Sequence, residues 1–470
     1  MRKADLVEFM NAQAPFSETW KRKNRYYHNS LERILRFHVP AGSSVLEVGC
    51  GTGELLHALA PKRGVGVDIS PRTVEIACSR YPDLTFLEGD AQDLPLSETF
   101  DYIILSDLVG YLEDVQRAFE ELQKVCHRRT RILITYYNYL WEPILRVGER
   151  LGRKRPQPDQ NWLALEDLQN LLSLAGFQTI QKGFKILLPV RIPLLSAFFN
   201  RVLVNFPLFR KLALVSYIVA RPAPTPVPEE SLSCSVIIPA RNERGNIADA
   251  VARTKQMGRH TELIFVEGNS SDGTAEEVER VIAANPDRDI RLIRQGSGVG
   301  KGDAVRKGFA AAKGDVLMIL DADLTMPPED LPKFFRALAS GRGEFINGSR
   351  LVYPMEKQAM RFLNTLGNKF FSLAFTYLLD QRFKDTLCGT KVLYREDYER
   401  IAAGRSYFGE FDPFGDFDLL FGAAKLNLRI VEVPIRYRER SYGSTQISRF
   451  RHGWLLLKMS AFALRRIKFI

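Results

Sequence analysis

The chain has 470 residues, 45% of them hydrophobic and 26% charged, and a formal net charge of +11. This length predicts two or three domains, and the composition excludes a disordered or fibrous protein. Arginines interrupt the most apolar stretch, LLPVRIPLLSAFFNRVLVNF, so no membrane span is predicted, and the amino terminus shows no signal peptide. Five scattered cysteines without a CxxC pair favour a reducing cytoplasm over a zinc site or disulfide framework.

A proline-rich segment, ARPAPTPVPEES from Ala220 to Ser231, divides the chain. Prolines that alternate with small residues favour an extended tether. On both sides of it, short apolar runs alternate with helical patterns, which is typical of α/β domains with mostly parallel sheets. We therefore predict two Rossmann-like α/β domains in tandem, residues 1–220 and 232–470, joined by a linker over residues 221–231.

The first half contains the string VLEVGCGTG, Val45 to Gly53. It predicts a strand and a glycine turn into a helix, where a ligand can approach the backbone closely. The next strand, GVGVDIS, ends at Asp68, about 20 residues after Glu47, and its carboxylate is within reach of a ribose diol. A third strand ends in FLEGDAQDLPL with Asp90 at its tip, and a fourth, FDYIILSDLVGYL, follows.

These strand tips resemble those of the class I S-adenosylmethionine-dependent methyltransferases, over residues 20–220. The resemblance implies that the glycines line the methionine portion of the cofactor, that Asp68 holds its ribose, and that Asp90 with Ala91 meets the adenine. The implied cofactor-binding residues are Glu47, Gly49, Gly51, Gly53, Asp68, Asp90 and Ala91.

Two alternatives remain open for this half. Asp68 and Asp90 would cap the helices that follow them, or the domain would bind a nicotinamide cofactor, although GxGxG followed by GDAQDLP favours the methyl donor. The methyl acceptor also stays open, because SDLVGYLEDV departs from the family pattern. Core packing explains four tyrosines near the strand ends as well as acceptor binding does: Tyr111, Tyr136, Tyr137 and Tyr139.

In the second half, the apolar run VLMIL predicts a buried strand, and Asp321 and Asp323 follow it directly. Two like charges this close repel, so we expect a positive group between them and a ligand. The segments CSVIIPARNERGNI, ELIFVEGNSSDGT and GSGVGKGDAVRKGF precede this strand. INGSR, KDTLCGTK and EVPIRYRERSYGS follow it.

These segments resemble the family 2 glycosyltransferases of the GT-A fold, over residues 232–450, and the later ones resemble the polyprenyl-phosphate (dolichol-phosphate mannose type) branch. The resemblance implies that Asp321 and Asp323 hold Mg²⁺ or Mn²⁺ on the diphosphate of a nucleotide sugar. Such an ion neutralises the charge that the leaving diphosphate gains. The other implied substrate-binding residues are Pro239, Glu243, Glu267, Lys301, Arg350 and Lys391.

Two departures from the family pattern touch donor recognition, so the base and the sugar stay open. This chain has VEGNS where the family usually has VDDGS, and it has DADLT where the family often has DADLQ. The predicted catalytic residues are Asp323, Asp418 and Arg440. A guanidinium fork fits a phosphate, although Arg440 has a surface interpretation too. Asp418, or Asp416, would serve as base for a hydroxyl acceptor, and helix capping explains Asp418 equally well.

The sequence therefore predicts a bifunctional enzyme, an S-adenosylmethionine-dependent methyltransferase joined to an inverting, metal-dependent glycosyltransferase. Its predicted partners are a nucleotide sugar and a polyprenyl phosphate or glycan acceptor. We expect a cytoplasmic protein, peripheral on the inner face of the cell membrane. The basic, apolar tail WLLLKMSAFALRRIKFI is either a partly packed helix or a helix on an anionic membrane surface.

Two further hypotheses remain. The methyltransferase-like half would be a non-catalytic binding module, or the chain would modify RNA. No recognisable nucleic-acid motif supports the second hypothesis, so no nucleic-acid partner is predicted.

Overall fold

A computed structural model of the chain describes residues 3–298, 300–353, 362–407, 415–440, 442–443 and 449–468. The chain divides into two compact units, the first up to Ala223 and the second from Pro224 to Ile467. A seven-stranded sheet with accompanying helices forms the framework of each unit. The predicted fold class, two Rossmann-like α/β folds in tandem, is confirmed.

The strands of the first unit are β1 (Ser44–Val48), β2 (Arg63–Asp68), β3 (Thr85–Glu88), β4 (Phe100–Ser106), β5 (Cys126–Tyr137), β6 (Phe177–Lys185) and β7 (Val215–Pro222). Their spatial order is β3-β2-β1-β4-β5-β7-β6. Neighbouring strands are parallel except at β7, which runs antiparallel to β5 and β6. The central strands β1 and β4 are almost wholly buried, which explains their continuous apolar sequences.

The helices of the first unit are α1 (Lys3–Gln13), α2 (Ser17–Lys23), α3 (Arg25–His38), α4 (Glu54–Ala58), α5 (Pro71–Arg80), α6 (Val115–Glu121), α7 (Glu142–Arg150), α8 (Leu165–Leu174), α9 (Leu195–Ala197) and α10 (Pro207–Arg210). The sequence sets the start of α5 clearly. Ser70 Oγ accepts a hydrogen bond from Thr73 N–H, and Pro71 occupies the first helical position, where its missing N–H costs nothing.

The strands of the second unit are β8 (Ser233–Ala240), β9 (His260–Glu267), β10 (Ile290–Arg294), β11 (Val316–Ile319), β12 (Phe345–Ser349), β13 (Lys391–Tyr394) and β14 (Ile430–Pro434). Their order is β10-β9-β8-β11-β13-β12-β14, with β13 antiparallel to β11 and β12. The described helices are α11 (Ile247–Arg253), α12 (Thr274–Ala284), α13 (Lys301–Ala311), α14 (Leu331–Ala339), α15 (Phe362–Leu379), α16 (Arg395–Ala403), α17 (Asp416–Lys425) and α18 (Arg449–Ile467).

The proline-rich segment is less of a free tether than its composition predicts. Strand β7 continues to Pro222, so Ala220 and Arg221 are buried and paired within the first sheet. Val227 N–H donates to the carbonyl of Ala339 at 2.8 Å, and residues 229–231 form a single 3₁₀ turn. Proline composition alone does not show which backbone groups find partners nearby.

Residues 454–467 of the apolar tail belong to α18, and one side of this helix is packed. Leu456, Met459 and Ala463 are buried, whereas Trp454 is 61% exposed and Leu457 is 40% exposed. The partly packed helix predicted as one alternative is therefore present, and a membrane contact through it stays a prediction. Within the described ranges, no helix combines the length and the apolar character needed to cross a bilayer.

Candidate functional site

In the first unit, the predicted cofactor residues follow the carboxyl ends of three neighbouring strands. Strand β1 leads into the glycine turn, β2 ends at Asp68, and Asp90 comes two residues after β3. Because these strands are adjacent and parallel, their ends meet at one edge of the sheet, where open α/β folds bind ligands. The structure brings these predicted residues together.

Asp68 ties the second strand to the glycine turn. Its Oδ2 accepts a hydrogen bond from Gly51 N–H at 2.9 Å, and its Oδ1 accepts one from Ser70 N–H at 3.0 Å. Burial raises the pKa of Asp68, although these two donors oppose the shift. The cap of the following helix is Ser70 rather than Asp68, and each carboxylate oxygen keeps acceptor capacity for a ribose hydroxyl.

The three glycines of the turn all adopt positive φ, at 74° for Gly49, 54° for Gly51 and 80° for Gly53, a region that favours glycine. Their surroundings differ. A Cβ at Gly49 would lie 2.8 Å from Leu108 and one at Gly53 would lie 2.6 Å from Phe86, whereas one at Gly51 would meet nothing within 4 Å. The open side of the turn is therefore at Gly51.

Glu47 is a buried carboxyl group on β1. Its side chain lines a cavity of about 790 Å³, and the residue is 3% exposed. Its Oε2 has no hydrogen-bond partner among the described residues. Burial raises the pKa of Glu47 to about 8, with Lys21 opposing the shift. A cationic ligand group such as an ammonium would satisfy this oxygen, so the residue fits the cofactor predicted for this edge.

Asp90 and Ala91 border a second, smaller cavity beside the glycine turn. Asp90 pairs with Lys3 of α1 at 2.7 Å, and Ala91 is buried. Both line a cavity of about 180 Å³, together with Leu6 and Met10 of α1. An apolar wall next to a carboxylate matches the adenine contact implied for these residues.

Helices α2 and α3 also cover this edge, a contribution that the sequence analysis missed. Lys21 of α2 pairs with Glu54 beside the glycine turn, and Tyr27 of α3 lines the larger cavity. The only sequence signal is an amphipathic pattern in α3. Such a pattern does not distinguish a helix that covers a site from one that only packs on the core.

Asp107, immediately after β4, is a further residue at this edge to which the sequence analysis assigned no role. Tyr27 OH donates to its Oδ2 at 2.7 Å, whereas its buried Oδ1 has no hydrogen-bond partner in the part of the chain that is described. Its φ of 53° is unusual for a residue other than glycine. Burial raises its pKa to about 6. Since Asp107 lines both cavities, its carboxyl group borders the two of them.

The four tyrosines of this region separate into two groups. Tyr111 and Tyr137 line the larger cavity, whereas Tyr136 donates to a backbone carbonyl and Tyr139 is 49% exposed. Arg155 lines both cavities, and its Nε is buried without a hydrogen-bond partner in the described ranges. The larger cavity is thus lined by aromatic rings, Asp107 and a guanidinium group, and acceptor binding by the tyrosines stays a prediction.

In the second unit, the predicted acids also follow adjacent parallel strands. Glu243 comes after β8, Glu267 ends β9, and Asp321 and Asp323 come after β11. These three strands are neighbours in the order β9-β8-β11, so their carboxyl ends meet at one edge.

Asp321 and Asp323 are paired with two different cations. Lys301, the first residue of α13, lies 2.5 Å from Asp321, and Arg440 lies 2.7 Å from Asp323. Arg440 also reaches Glu243 at 3.1 Å. The positive charge expected beside the aspartate pair is supplied here by the chain itself.

Burial and charge act in opposite directions on these groups. Burial lowers the pKa of Lys301, but Asp321 and Asp416 raise it by more, so the ammonium stays protonated. Burial raises the pKa of Asp321, but Lys301 lowers it by more. For Glu243 burial prevails over Arg440, and its pKa rises to about 7. The site therefore holds two ion pairs and a carboxyl group that titrates near neutral pH.

Two glycines make room for this cluster. A Cβ at Gly389, in the CGTK segment, would lie 2.1 Å from Asp321 Oδ2. Gly415 has a φ of 75°, and a Cβ there would lie 3.1 Å from the Cα of Gly302, in the GKGDA segment. Three separate segments of the sequence therefore converge on the Lys301–Asp321 pair.

Pro239 and Glu267 lie on the neighbouring strands β8 and β9. Pro239 is paired in register with Val266, and the buried Glu267 accepts a hydrogen bond from Ser270 N–H. The departure VEGNS has a local reason, because a Cβ at Gly268 would approach Gln295 Oε1 to 3.0 Å. Donor contacts by Pro239 and Glu267 stay predictions.

The two other basic residues expected to bind phosphate are engaged by internal carboxylates. Arg350 Nε and Nη2 donate to Asp385 at 2.7 and 2.8 Å. Lys391 is fully buried, 3.1 Å from Asp416. These pairs hold the loop after β12 and the start of α17, and phosphate contacts by Arg350 and Lys391 stay predictions.

Asp418 lies in the first turn of α17, but it is not the helix cap. The N-cap is Gly415, and Asp418 is the third residue of the helix. Its carboxylate pairs with Arg405 at 2.7 Å and is nearly buried. The guanidinium of Arg405 engages this carboxylate, and the role of Asp418 stays a prediction.

Two family models match separate segments of the chain. Residues 45–129 match a family model described as Methyltransferase domain, and residues 235–401 match one described as Glycosyl transferase family 2. A SAM-dependent methyltransferase from Thermotoga maritima aligns with 46% of this chain and 98% of its own, at 18% identity and a TM-score of 0.37.

Three relatives are named as sugar transferases. A dolichol-phosphate mannosyltransferase of Saccharomyces cerevisiae is 42% identical over 23% of this chain and 42% of its own length. One of Pyrococcus furiosus is 29% identical over 51% and 67%. An undecaprenyl-phosphate 4-deoxy-4-formamido-L-arabinose transferase of Edwardsiella ictaluri is 34% identical over 45% and 62%.

These matches cover parts of the relatives rather than their whole length. The chain spans less than half of the yeast relative and about two thirds of the Pyrococcus one. The matched segments contain the glycine turn in one unit and the aspartate pair in the other. One segment of the chain therefore matches the methyltransferase domain model and another matches the family 2 glycosyltransferase model, which confirms the predicted resemblance and supports the prediction of an enzyme.

Proposed function

We propose that the chain is a bifunctional enzyme that moves a sugar from a nucleotide sugar to a polyprenyl phosphate and a methyl group from S-adenosylmethionine to a separate acceptor. The observation that carries the first activity is the cluster of Lys301, Asp321, Asp323 and Arg440 at one sheet edge. The names of the relatives, which include dolichol phosphate and undecaprenyl phosphate, support a lipid-phosphate acceptor.

The carboxylate oxygens of Asp321 and Asp323 are the type of ligand that a divalent cation such as Mg²⁺ prefers. No group of three or more His, Cys, Asp or Glu side chains forms a metal site among the residues that the structure describes. A Mg²⁺ or Mn²⁺ ion would therefore take these two carboxylates as hard oxygen ligands and complete its shell with diphosphate and water. It would neutralise the charge that develops on the diphosphate.

Two basic side chains of the site would also stabilise the charge that develops on the diphosphate. Lys301 and Arg440 bring two permanent positive charges to the edge where the diphosphate leaves, and such charges stabilise the developing anion. A polyprenyl phosphate is already anionic, so it attacks the anomeric carbon without a dedicated base, and direct displacement inverts that carbon. The pairing of Asp418 with Arg405 agrees with this mechanism.

In the methyltransferase domain, Glu47, Gly51 and Asp68 would hold the cofactor, which supplies the methyl group when it is bound. Methyl transfer is an in-line displacement that depends on alignment of the two reactants. Asp107 is ionised at neutral pH because its pKa is about 6. Its free Oδ1 accepts the proton that a hydroxyl or amine acceptor loses on methylation.

A donor screen tests the proposed sugar transfer. The full chain is incubated with polyprenyl phosphate, Mg²⁺ or Mn²⁺ and each nucleotide sugar in turn. We expect one donor to yield a lipid-linked sugar, with activity lost in a chelator. No product from any donor, in a protein that remains folded, would contradict the proposal.

Glu47 predicts a pH dependence of cofactor binding. Burial raises the pKa of Glu47 to about 8, so below that pH its carboxyl group is mostly protonated. A cationic ligand group that pairs with the carboxylate must then displace this proton. We expect the affinity for S-adenosylmethionine to rise between pH 6 and pH 8, by up to about tenfold per unit. Titration calorimetry in two buffers measures the proton released. Glu47→Gln should remove both the slope and the release, and an unchanged slope in this variant would refute the assignment.

The same titration decides the alternative that the methyltransferase-like half is a non-catalytic binding module. That alternative expects no measurable affinity for S-adenosylmethionine at any pH. The location on the inner face of the cell membrane belongs to this proposal, since a polyprenyl phosphate stays in the bilayer.

A further inference from the structure

The connection between β6 and β7 exposes an unusual amount of apolar surface. Ten large apolar side chains between Val190 and Leu212 are exposed, led by Leu194 at 89%, Leu208 at 77% and Phe206 at 54%. Large exposed apolar surfaces on soluble proteins mark sites that bind a partner or a membrane. We call the exposed side chains of residues 190–212 the apolar rim.

The apolar rim is an ordered structure. Asn200 Oδ1 accepts from Leu188 N–H at 2.8 Å, and its Nδ2 donates to Tyr26 of α3 at 3.0 Å. Ser196 Oγ bridges Ile192 N–H and the carbonyl of Val190. These hydrogen bonds hold the segment in place while its leucines and phenylalanines stay outside the core.

Leu194 shows the cost of this arrangement most clearly. It has a φ of 61°, a strained backbone conformation for a leucine. Nothing in the folded core is gained in return, because the side chain is almost fully exposed. Such strain is consistent with a function for the exposed side chain outside the folded chain.

The charge of the segment is one-sided. Residues 186–212 contain Arg191, Arg201, Arg210 and Lys211 and no aspartate or glutamate. A second copy of this chain, docked face to face, would bring these cations together, which disfavours self-association. Apolar side chains interspersed with basic ones are the composition that binds anionic lipid headgroups.

The apolar rim reaches the larger cavity of the methyltransferase domain through Val190. Pro189 and Val190 line this cavity of about 790 Å³, and so does Leu145 of α7. The same cavity contains Asp107 and Gly51. A lipid surface seated on the apolar rim would therefore present its molecules directly to the methyl-transfer site.

We propose that the apolar rim docks the methyltransferase domain on an anionic lipid surface and that the methyl acceptor is an amphipathic molecule taken from that surface. The docking rests on the exposed side chains and their charge alone. The identity of the acceptor rests also on the proposed methyl transfer. This contact is separate from the one predicted for the carboxyl-terminal tail.

Vesicle flotation of the full chain tests the docking, with vesicles of phosphatidylcholine and phosphatidylglycerol and with vesicles of phosphatidylcholine alone. We expect binding to the anionic vesicles that weakens as salt screens the charges. Leu194→Asp with Leu208→Asp should weaken this binding by about a hundredfold. Each change removes a leucine that would be buried in the lipid and adds a negative charge that the anionic lipids repel. Both sites are exposed, so folding should be unaffected.

Leu174→Asp is the matched control, because Leu174 is 60% exposed on α8, outside the apolar rim. It should bind the vesicles as the unchanged chain does. Binding lost in Arg465→Glu with Arg466→Glu, but kept in the Leu194 and Leu208 double variant, would overturn the proposal in favour of the tail. Dimers that dissociate on Leu194→Asp in a chain that ignores vesicles would overturn it in favour of self-association. Cofactor affinity, measured by calorimetry on the same variants, should stay unchanged, which separates this test from that of the methyltransferase activity.

Discussion

Asp323→Ala is expected to lower sugar transfer by about a hundred- to a thousandfold, the range for removing one electrostatic contact to a charged transition state. Asp323 is one of only two carboxylates directly after β11, and it holds Arg440 at 2.7 Å. Without it, Arg440 keeps Glu243 as a partner and is drawn away from the aspartate pair. The proposed cation would also lose one of its two protein ligands, so metal stimulation should disappear together with the activity.

Asp315→Ala is the control for this variant. Asp315 precedes the same strand at its opposite end, where it accepts hydrogen bonds from Ser233 and pairs with Arg259 at 3.2 Å. The Asp315→Ala substitution removes a carboxylate that has a guanidinium partner and leaves the proposed site intact. Sugar transfer should therefore persist in protein that folds. Full metal-stimulated activity in Asp323→Ala would refute the assignment, and equal losses in both variants would show a general effect on the fold.

The positions of the strand-tip residues were predictable because they depend on local pattern. An apolar run that ends in a glycine or an acid predicts a buried strand and its carboxyl end, and adjacent parallel strands bring such ends together. The positions of Asp68, Asp321 and Asp323 were predicted in this way. Their partners were not, because Arg440 is 117 residues from Asp323 in sequence and Tyr27 is 80 from Asp107.

Side-chain exposure was equally out of reach of the sequence. The stretch that becomes the apolar rim was recognised only as an apolar segment broken by arginines. Its pattern does not show that Leu194 and Leu208 point outward while Val204 is buried. Likewise, Arg350 and Lys391 resemble phosphate-binding residues in sequence, but internal carboxylates engage both of them. These outcomes depend on packing between distant segments, which local pattern does not encode.

Gly51→Val is expected to abolish S-adenosylmethionine binding, with the affinity reduced by at least about a hundredfold, while sugar transfer is kept. A side chain at Gly51 meets no protein atom within 4 Å, so it occupies the space through which a ligand reaches the backbone of the turn. Valine at a φ of 54° also strains the turn, and the Gly51 N–H to Asp68 hydrogen bond would shift with it. Sugar transfer should persist because its proposed residues all belong to the other unit.

Gly42→Val separates the two effects of this substitution. Gly42 has a φ of 77° and likewise meets no atom within 4 Å, but it precedes β1 at the far end from the glycine turn. Both variants carry the backbone strain, and only Gly51→Val blocks the proposed cofactor space. Calorimetry should therefore show normal S-adenosylmethionine affinity in Gly42→Val and none in Gly51→Val, with similar melting temperatures. If the two variants lose affinity equally, backbone strain rather than ligand contact explains the loss. If Gly51→Val also stops sugar transfer in folded protein, the two activities are not independent.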